Sequence, residues 1–354
     1  MNRETLQAKV KQRVNSNSEK YFPELGKSTK IKIIFTRDRT STSIYIVRIY
    51  WKKKINNTKE VLIKLIHKYN AEGEYQALRD YYEGFKSIDI NQKYTVPKCL
   101  DFWPDLNALV MERINGNTLR KRLLATNVKF AFKKGKNQLS NDCYRVGKWL
   151  AYFHSFHLTE KKFNYDEFCQ RLNKDIQFLI NQEFSDKILR EVKSVGDIFV
   201  SLKTKLKIKG WVSNIHGDFG PNNIILTDDG RIIGYDFSWG IEGYIYEDIA
   251  HYYVIMETLN IIPRNPFYDY NFLNTLERSF MQGYLDSFRK NMSEKDLILI
   301  EVYRLKWLIR KLVHNYNICN KYPSGVNSLI KSIRLNPFYC SRLKKQIEKI
   351  IKFF

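Results

Sequence analysis

The sequence has no long apolar run. None reaches the roughly 18 residues that a membrane-spanning helix requires, and no apolar segment follows the charged N-terminus as it would in a signal peptide. Its 5 cysteines are widely separated, and no pair has the close spacing of a zinc site or a redox dithiol. These absences argue against a membrane-spanning or secreted protein, so we expect a cytoplasmic protein with reduced, mostly buried thiols.

Acidic residues are also scarce. The chain carries 37 Asp and Glu against 60 Lys and Arg, which gives a formal net charge of +23. Such a charge attracts nucleic acid, anionic lipid or an acidic substrate. The basic residues lie in short runs along the whole chain, however, which is typical of a solvated surface. No basic and aromatic motif of a known nucleic-acid-binding module is present, so nucleic acid is not the partner we expect.

The first third of the chain has the pattern of a small α+β lobe. Residues 3–24 predict a charged helix, and three apolar, β-branched runs separated by polar stretches predict an antiparallel meander. A helix and one more strand follow. The predicted strands cover 31–35, 44–51, 61–66 and 108–111, and the helix after the third strand covers 72–85.

The remainder of the chain predicts mainly helices. Apolar residues recur at spacings of three and four residues in 119–124 and 142–156, and helical patterns continue from residue 252 almost to the end. Short strands and turns interrupt them at 210–241. We therefore predict an α+β protein of two lobes. Residues 1–112 form a small antiparallel-sheet lobe with one main helix, and residues 113–354 form a larger, mainly helical lobe.

One segment, residues 215–237, combines acidic side chains with a strong turn signal. Asp229-Gly230 between two apolar runs predicts a two-residue hairpin turn. In that register Asn223 lies opposite Asp236, and opposed side chains are close enough for an amide and a carboxylate to meet. Oxygen ligands from one or two side chains, completed by phosphate and water, are what Mg²⁺ prefers. The register therefore predicts Asn223 and Asp236 as magnesium ligands.

Asp218 lies shortly before Asn223, on an irregular loop that contains Gly217 and Gly220. A carboxylate held beside a metal–nucleotide site takes the proton of an acceptor hydroxyl as the phosphoryl group arrives. We predict that Asp218 is this base. The alternative interpretation is that these aspartates are turn and cap residues, which are common before a hairpin.

The segment resembles the catalytic loop and metal-binding segment of the aminoglycoside phosphotransferase-like and choline-kinase-like enzymes, relatives of the protein kinases. His216-Gly217-Asp218 stands where protein kinases have His-Arg-Asp, and Asp236-Phe237-Ser238 stands where they have Asp-Phe-Gly. The resemblance covers about residues 30–260. It implies a protein-kinase-like fold, ATP with GTP as an alternative, Mg²⁺, and a hydroxyl-bearing small-molecule or glycan acceptor.

The same resemblance implies nucleotide-binding residues in the small lobe. Lys64, in the third predicted strand, would contact the nucleotide phosphates and pair with a glutamate of the following helix. Glu74 fits the family pattern best as that partner, and Glu72 is the alternative. The backbone of Glu112 and Ile114 would hydrogen-bond the adenine edge.

No glycine-rich loop joins the first two predicted strands. A polar stretch at 36–43 stands in its place, and its hydroxyl and backbone groups could bind phosphate oxygens. The resemblance implies this role for Ser41, Thr42 and Ser43. A solvent-exposed turn is the alternative.

Two further residues are expected to support the catalytic loop. Asp248 resembles the family's aspartate that accepts backbone N–H groups of this loop, and His216 begins the loop itself. An N-cap for a helix starting near residue 249 is the alternative for Asp248. His154, at the end of the preceding helix, is expected to be a packing residue.

The acceptor is less well defined. The net charge of +23 disfavours polycationic aminoglycosides and suits sugars, glycoconjugates or anionic glycolipids. Residues 342–354 predict a basic amphipathic helix that either contacts an anionic membrane or packs on its own core. Two other functions compete with the small-molecule kinase: a protein kinase of the same fold, and a non-catalytic basic module that binds nucleic acid or anionic surfaces.

Overall fold

The structure is a computed structural model that describes residues 3–51, 58–89, 91–128, 132–182, 186–203, 208–238, 240–259, 269–320, 325 and 335–353. The chain divides into two compact units. The first unit contains Met1–Gly116 together with Thr227–Tyr235, and the second contains Asn117–Leu226 and Asp236–Phe354. The division that we predicted at residue 112 lies near the first of these boundaries, but it did not include the later segment in the first unit.

Most of the described strands outside the first unit's main sheet have only two to four residues. In chain order they are β1 (Lys30–Asp38), β2 (Thr42–Tyr50), β3 (Thr58–Ile66), β4 (Tyr94–Thr95), β5 (Cys99–Trp103), β6 (Ala108–Glu112), β7 (Asn117–Thr118), β8 (Thr159–Lys162), β9 (Lys209–Asn214), β10 (Ile224–Leu226), β11 (Ile232–Gly234) and β12 (Glu242–Tyr244).

The described helices lie mostly in the second unit. In chain order they are α1 (Arg3–Tyr21), α2 (Glu72–Ile88), α3 (Leu119–Thr126), α4 (Lys133–His154), α5 (Tyr165–Ile180), α6 (Asp186–Leu202), α7 (Tyr246–Thr258), α8 (Tyr270–Ser287), α9 (Glu294–Cys319) and α10 (Asn336–Ile351).

The first unit is built on a five-stranded sheet with the order β1-β2-β3-β6-β5, in which neighbouring strands are antiparallel. Side chains of β2 alternate between buried and half-buried, as expected for a strand with one face on a core. Helix α1 supplies Val10 and Val14 to that core, where they join Tyr45, Val47 and Val61 of the sheet. The predicted strand–strand–strand–helix–strand order holds for β1, β2, β3, α2 and β6, but β4 and β5, which lie between α2 and β6 in the chain, were not predicted.

The connection between β1 and β2 is shorter than we predicted. Strand β1 continues to Asp38 and β2 begins at Thr42, so only residues 39–41 lie outside the strands. The backbone N–H of Arg39 donates to the oxygen of Thr42 (2.8 Å) and closes the turn. The prediction of a loop over 36–43 was therefore wrong in extent, because its β-branched and hydroxyl residues continue the strand ladder.

The turn after β10 also differs from the prediction. Thr227 donates its backbone N–H to the oxygen of Arg231 (3.1 Å) and accepts from the N–H of Gly230 (3.1 Å). Gly230 has φ of +84°. This is a three-residue turn ending in a left-handed glycine, not the two-residue turn that we predicted. The register that would place Asn223 directly opposite Asp236 is therefore shifted by one residue.

In the second unit, helices α4 and α8 approach each other very closely. A Cβ atom added at Gly147 of α4 would overlap the carbonyl oxygen of Phe280, and one added at Gly283 of α8 would overlap that of Tyr144. Glycine at both positions lets the two backbones come into contact. Near this pair, Tyr252 of α7 stacks on Phe280, with 4.2 Å between ring centroids.

The C-terminal helix α10 packs against α6 and α9. Of the apolar residues predicted to form its stripe, Leu343, Ile347 and Ile350 are buried, Ile351 is exposed, and Phe354 lies outside the described residues. Of the two alternatives that we considered for this helix, the structure shows packing on the chain's own core. Contact with an anionic membrane stays a prediction. Among the helices that the structure describes, none is both long and apolar enough to cross a bilayer.

The close approach of α4 and α8 predicts a large effect of a single methyl group. We expect Gly147→Ala to lower the free energy of unfolding by about 1–3 kcal/mol, because the new Cβ would push a backbone carbonyl away. Gly196→Ala is the matched control, since a Cβ there meets nothing within 4 Å and alanine favours the helix. Urea denaturation of both variants measures this, and equal stability of the two would contradict the packing described.

Candidate active site

The segment that carries Asp218 runs from β9 to β10. The Asp218 side chain is 69% exposed, whereas the next residue, Phe219, is fully buried. The same alternation occurs further along the chain, where exposed Asp236 is followed by buried Phe237. Each phenylalanine anchors its segment in the core, and each aspartate is thereby held at the surface.

His216 lies in an aromatic cage beneath this loop. Its side chain is fully buried, and neither ring nitrogen has a hydrogen-bond partner among the residues that the structure describes. Burial lowers the pKa of His216, although three nearby aspartates act to raise it. The imidazole is therefore a neutral packing group. The rings around it are Trp149, Phe153, Phe219 and Phe237.

Asp248 of α7 fixes the backbone of the loop. Its carboxylate is fully buried and accepts the backbone N–H groups of His216 (2.6 Å) and Gly217 (2.9 Å). Burial alone would raise the pKa of Asp248, but hydrogen bonding and attraction from His154, with help from His216, hold it below the usual value. The N-cap alternative for Asp248 is wrong, because α7 begins at Tyr246.

His154 does more than pack, which our sequence analysis missed. Its Nε2 lies 3.1 Å from the Asp248 carboxylate, and its Nδ1 lies 2.9 Å from the hydroxyl of Tyr284. All three side chains are buried, so each depends on the others for hydrogen bonding. The sequence showed only a histidine at the C-terminal end of a predicted helix, and that position does not indicate which residues the imidazole hydrogen-bonds.

The backbone also joins the segments that carry the two aspartates. The N–H of Ser238 donates to the oxygen of His216 (2.9 Å), and the N–H of Ile215 donates to the oxygen of Ile241 (2.9 Å). Gly217 has φ of +79°, and a Cβ there would lie 2.9 Å from the Ser238 hydroxyl. Glycine at this position therefore serves both the left-handed conformation and the close approach.

Asn223 and Asp236 present the kind of oxygen atoms that Mg²⁺ takes. The Asn223 amide nitrogen donates to the backbone oxygen of Asp218 (2.9 Å) and to its carboxylate (3.1 Å). The amide oxygen accepts no hydrogen bond from the described residues. Asp236 has φ of +60°, a left-handed conformation that is uncommon for a non-glycine residue and is often found at functional sites.

These residues fit Mg²⁺ with few protein ligands. Among the described residues, no group of three or more His, Cys, Asp or Glu side chains is arranged to hold a metal ion. A cation here would thus take an amide oxygen from Asn223 and a carboxylate from Asp236, with phosphate and water completing its shell.

The side chain of His251 lies beside Asp218 and that of Trp307 packs on His251; the sequence analysis singled out neither. The Nε2 of His251, on α7, is 3.8 Å from the Asp218 carboxylate. The ring of His251 packs on Trp307 of α9, with 4.1 Å between centroids. Burial lowers the pKa of His251 to about 4 despite attraction from Asp218 and Asp248, so the ring is neutral at physiological pH.

In the first unit, Lys64 of β3 pairs with Glu74 of α2. The Lys64 ammonium lies 2.7 Å from a Glu74 carboxylate oxygen, and the other oxygen accepts from the Tyr69 hydroxyl (3.0 Å). Both charged side chains are largely buried, at 14% and 10% exposure. Glu72, the alternative partner, is exposed at the start of α2.

The other predicted nucleotide residues are also in the first unit. Ser43 is buried in β2, and its hydroxyl lies 2.9 Å from His67 Nε2, whereas Ser41 and Thr42 are half-buried. Glu112 ends β6, and its N–H donates to the backbone oxygen of residue 98 (2.9 Å). Ile114 is buried.

No protein-family profile matches the sequence, and no curated protein matches it either. Solved structures do. A glucosamine kinase aligns over 94% of this chain and 97% of its own, with 10% identity and a TM-score of 0.55. A predicted aminoglycoside phosphotransferase from Ralstonia eutropha aligns over 94% of this chain and 98% of its own, with 12% identity and a TM-score of 0.54.

The chain has a protein-kinase-like fold. The predicted fold class is therefore confirmed. At identities of 10% and 12% the similarity concerns the fold, and the activity has to be argued from the residues of this chain.

The role of Asp248 predicts a loss of stability. We expect Asp248→Ala to lower the free energy of unfolding by about 3–5 kcal/mol, because two backbone N–H groups and His154 would lose a buried charged acceptor. Asp228→Ala removes an exposed carboxylate from the nearby turn and should change it by less than about 0.5 kcal/mol. Thermal and urea unfolding measure both; a small effect at Asp248 would contradict this role.

The buried His251 predicts a pH dependence of stability. The unfolded imidazole binds a proton near pH 6.5, whereas the folded one does so only near pH 4. Between these values the unfolded state holds more protons, so the free energy of unfolding falls as pH falls, by at most about 1.4 kcal/mol per pH unit from this group. Above pH 6.5 the group has no such effect.

We expect His251→Gln to reduce this slope between pH 6.5 and 4, and His157→Gln, at an exposed position, to leave it unchanged. Urea denaturation at several pH values measures the slope. Parallel curves for wild type and His251→Gln would show that His251 does not titrate in this way.

Proposed function

We propose that this chain is an ATP-dependent phosphotransferase that moves the γ-phosphoryl group to a hydroxyl of a small molecule, sugar or glycoconjugate. The observation that carries the proposal is the exposed Asp218 on a loop held by the buried Asp248. A carboxylate that is both accessible and fixed in position suits proton transfer from an acceptor hydroxyl.

In this proposal Asp218 orients the acceptor hydroxyl and takes its proton. The amide of Asn223 bonds the Asp218 carboxylate and restrains its direction. Asn223 and Asp236 would hold Mg²⁺, which when bound neutralises charge on the phosphates. The protein's main contribution is positioning, since phosphoryl transfer needs little covalent work from side chains.

Lys64 would bind the nucleotide phosphates, oriented by its ion pair with Glu74. The backbone N–H of Ile114 donates to no described residue, which supports its assignment to the adenine edge together with Glu112. Ser41 and Thr42 stay candidates for phosphate contact. The Ser43 hydroxyl is already bonded to His67, so it is the weakest of the three.

The names of the similar structures agree with a small-molecule acceptor. One is a glucosamine kinase and another is a predicted aminoglycoside phosphotransferase. A protein kinase of the same fold is disfavoured by Gly217 in the catalytic loop and by Ser238 in place of the glycine after Asp236-Phe237. A non-catalytic basic module is disfavoured because each expected catalytic position holds a competent residue.

The base assignment predicts the effect of one substitution. We expect Asp218→Asn to lower kcat by about 10²–10⁴-fold, because the amide cannot accept the proton, while binding of ATP with Mg²⁺ is retained. Acceptor-stimulated ADP release, measured over a panel of sugars, amino alcohols and aminoglycosides, gives kcat. Nucleotide binding is followed separately by the rise in Tm.

Asp228→Asn is the matched control, since this exposed aspartate lies ten residues further along and has no assigned role. Undiminished turnover by Asp218→Asn would remove Asp218 as the base. If wild type neither binds ATP with Mg²⁺ nor turns over with any acceptor, the phosphotransferase proposal falls and the basic binding module becomes the better hypothesis.

A further inference from the structure

A second charged group lies beside Asp218, on the helices of the second unit. Lys311 follows Trp307 by one turn of α9, and Trp307 packs on His251, which lies 3.8 Å from the Asp218 carboxylate. Arg120, in the first turn of α3, is near enough to Lys311 for their charges to interact. These residues together form a basic acceptor-side cluster, defined as Arg120, His251, Trp307 and Lys311.

Neither cation of this cluster has a partner in the part of the chain that the structure describes. Lys311 is half-buried, yet it has no carboxylate within 4.0 Å and donates no hydrogen bond to any residue that the structure describes. The same is true of Arg120. Half-buried cations without partners are unfavourable, so their presence together points to a ligand.

Other buried cations of the same helix are paired, which makes Lys311 an exception on α9. Lys306 lies 2.8 Å from Glu247, and Arg304 forms ion pairs with Glu257 and Glu277. The chain thus supplies carboxylates where a cation on α9 has a structural role. At Lys311 the charges that act on the ammonium are the carboxylate of Asp218 and the positive charge of Arg120.

Unsatisfied polar atoms occur in the same place. The Nδ1 of His251 and the Nε1 of Trp307 are both buried and have no hydrogen-bond partner among the described residues. Buried polar atoms without partners are rare in folded proteins and call for an explanation such as a bound molecule. The exposed carboxylate, the unpaired cations and these two atoms therefore belong to one site.

We infer that the acceptor carries an anionic group, a phosphate or a carboxylate, that binds Lys311 and Arg120 while its hydroxyl is presented to Asp218. This inference rests on the proposed function and names its substrate class. Trp307 would contribute its indole N–H, a hydrogen-bond donor without a partner among the described residues, to the acceptor. An acceptor with an ammonium group would meet like charge at the cluster and would be disfavoured.

The test compares sugars that share one ring and differ in charge. Glucose, glucose 1-phosphate, glucose 6-phosphate, glucuronate and glucosamine are titrated calorimetrically into the full chain and are then assayed for turnover with ATP and Mg²⁺. We expect at least one anionic sugar to bind more tightly than glucose. Tighter binding of a glucose phosphate than of glucuronate would indicate a phosphate-bearing acceptor, and the reverse order would indicate a carboxylate-bearing one.

Substitutions identify the residues responsible. We expect Lys311→Met to weaken binding of the anionic sugar by about 10- to 100-fold, the loss typical of a hydrogen bond between charged groups. Arg120→Met should act in the same direction. Lys311→Glu should shift preference towards glucosamine, and Tm confirms that each variant is folded. Lys295→Met, which removes an exposed charge from the same helix, is the control and should bind as wild type does.

Three results would overturn the inference. The first is that the wild-type protein binds no anionic sugar more tightly than glucose. The second is that Lys311→Met binds the anionic sugar as tightly as the wild-type protein does. The third is an equal fall in kcat for every acceptor, because Lys311 would then act on the transferred phosphoryl group. Retained anion binding without any turnover would instead contradict only the phosphotransferase proposal, so the two failures are distinguishable.

Discussion

The buried carboxylate of Asp248 is the group on which the geometry of the candidate site depends. A fully buried charge is tolerated only when hydrogen bonds surround it, and here they come from two backbone N–H groups and from His154. His154 ends α4, and its other nitrogen meets Tyr284, the residue after the close-packed Gly283 of α8. The position of Asp218 is therefore set by how α4, α7 and α8 pack.

Much of this arrangement could be predicted from local sequence. The meander, α2 and the approximate positions of α3, α4, α8, α9 and α10 follow from apolar periodicity, whereas α5 and α6 were not predicted. The Lys64–Glu74 pair follows from the family resemblance. The spacing singled out Asp218, Asn223 and Asp236, and the amide of Asn223 does hydrogen-bond Asp218, whereas their roles as base and metal ligands stay predictions. These features are encoded within a few residues of each other, where propensity and spacing carry information.

What could not be predicted depends on contacts between distant segments. The turn after β10 has three residues because the Thr227 hydroxyl, which accepts the N–H of Arg231 (2.7 Å), stabilises that alternative. The start of α7 at Tyr246, ahead of Asp248, could not be located from the sequence. The helix is buried along most of its length, so it has no amphipathic period that would mark its first residue. Lys311, Arg120 and His251 lie on three different helices, so no local pattern joins them. The fold that this chain shares with solved small-molecule kinases does not identify an acceptor either, because function resides in particular side chains and not in the fold.

The late segment Thr227–Tyr235 belongs to the first unit, although more than a hundred residues of the second unit precede it in the chain. Strand β11 pairs in parallel with β4, where Ile232 lies opposite Tyr94, and the N–H of Ile232 donates to the oxygen of Lys93 (2.7 Å). During synthesis the first unit therefore leaves the ribosome with an unpaired strand edge. Its fold cannot be completed until residue 235 has been synthesised, and translation adds about 5–20 residues per second. The N-terminal unit therefore cannot be completed until Asn117–Leu226 of the second unit has been made, so the path of the chain couples the maturation of the two units in time.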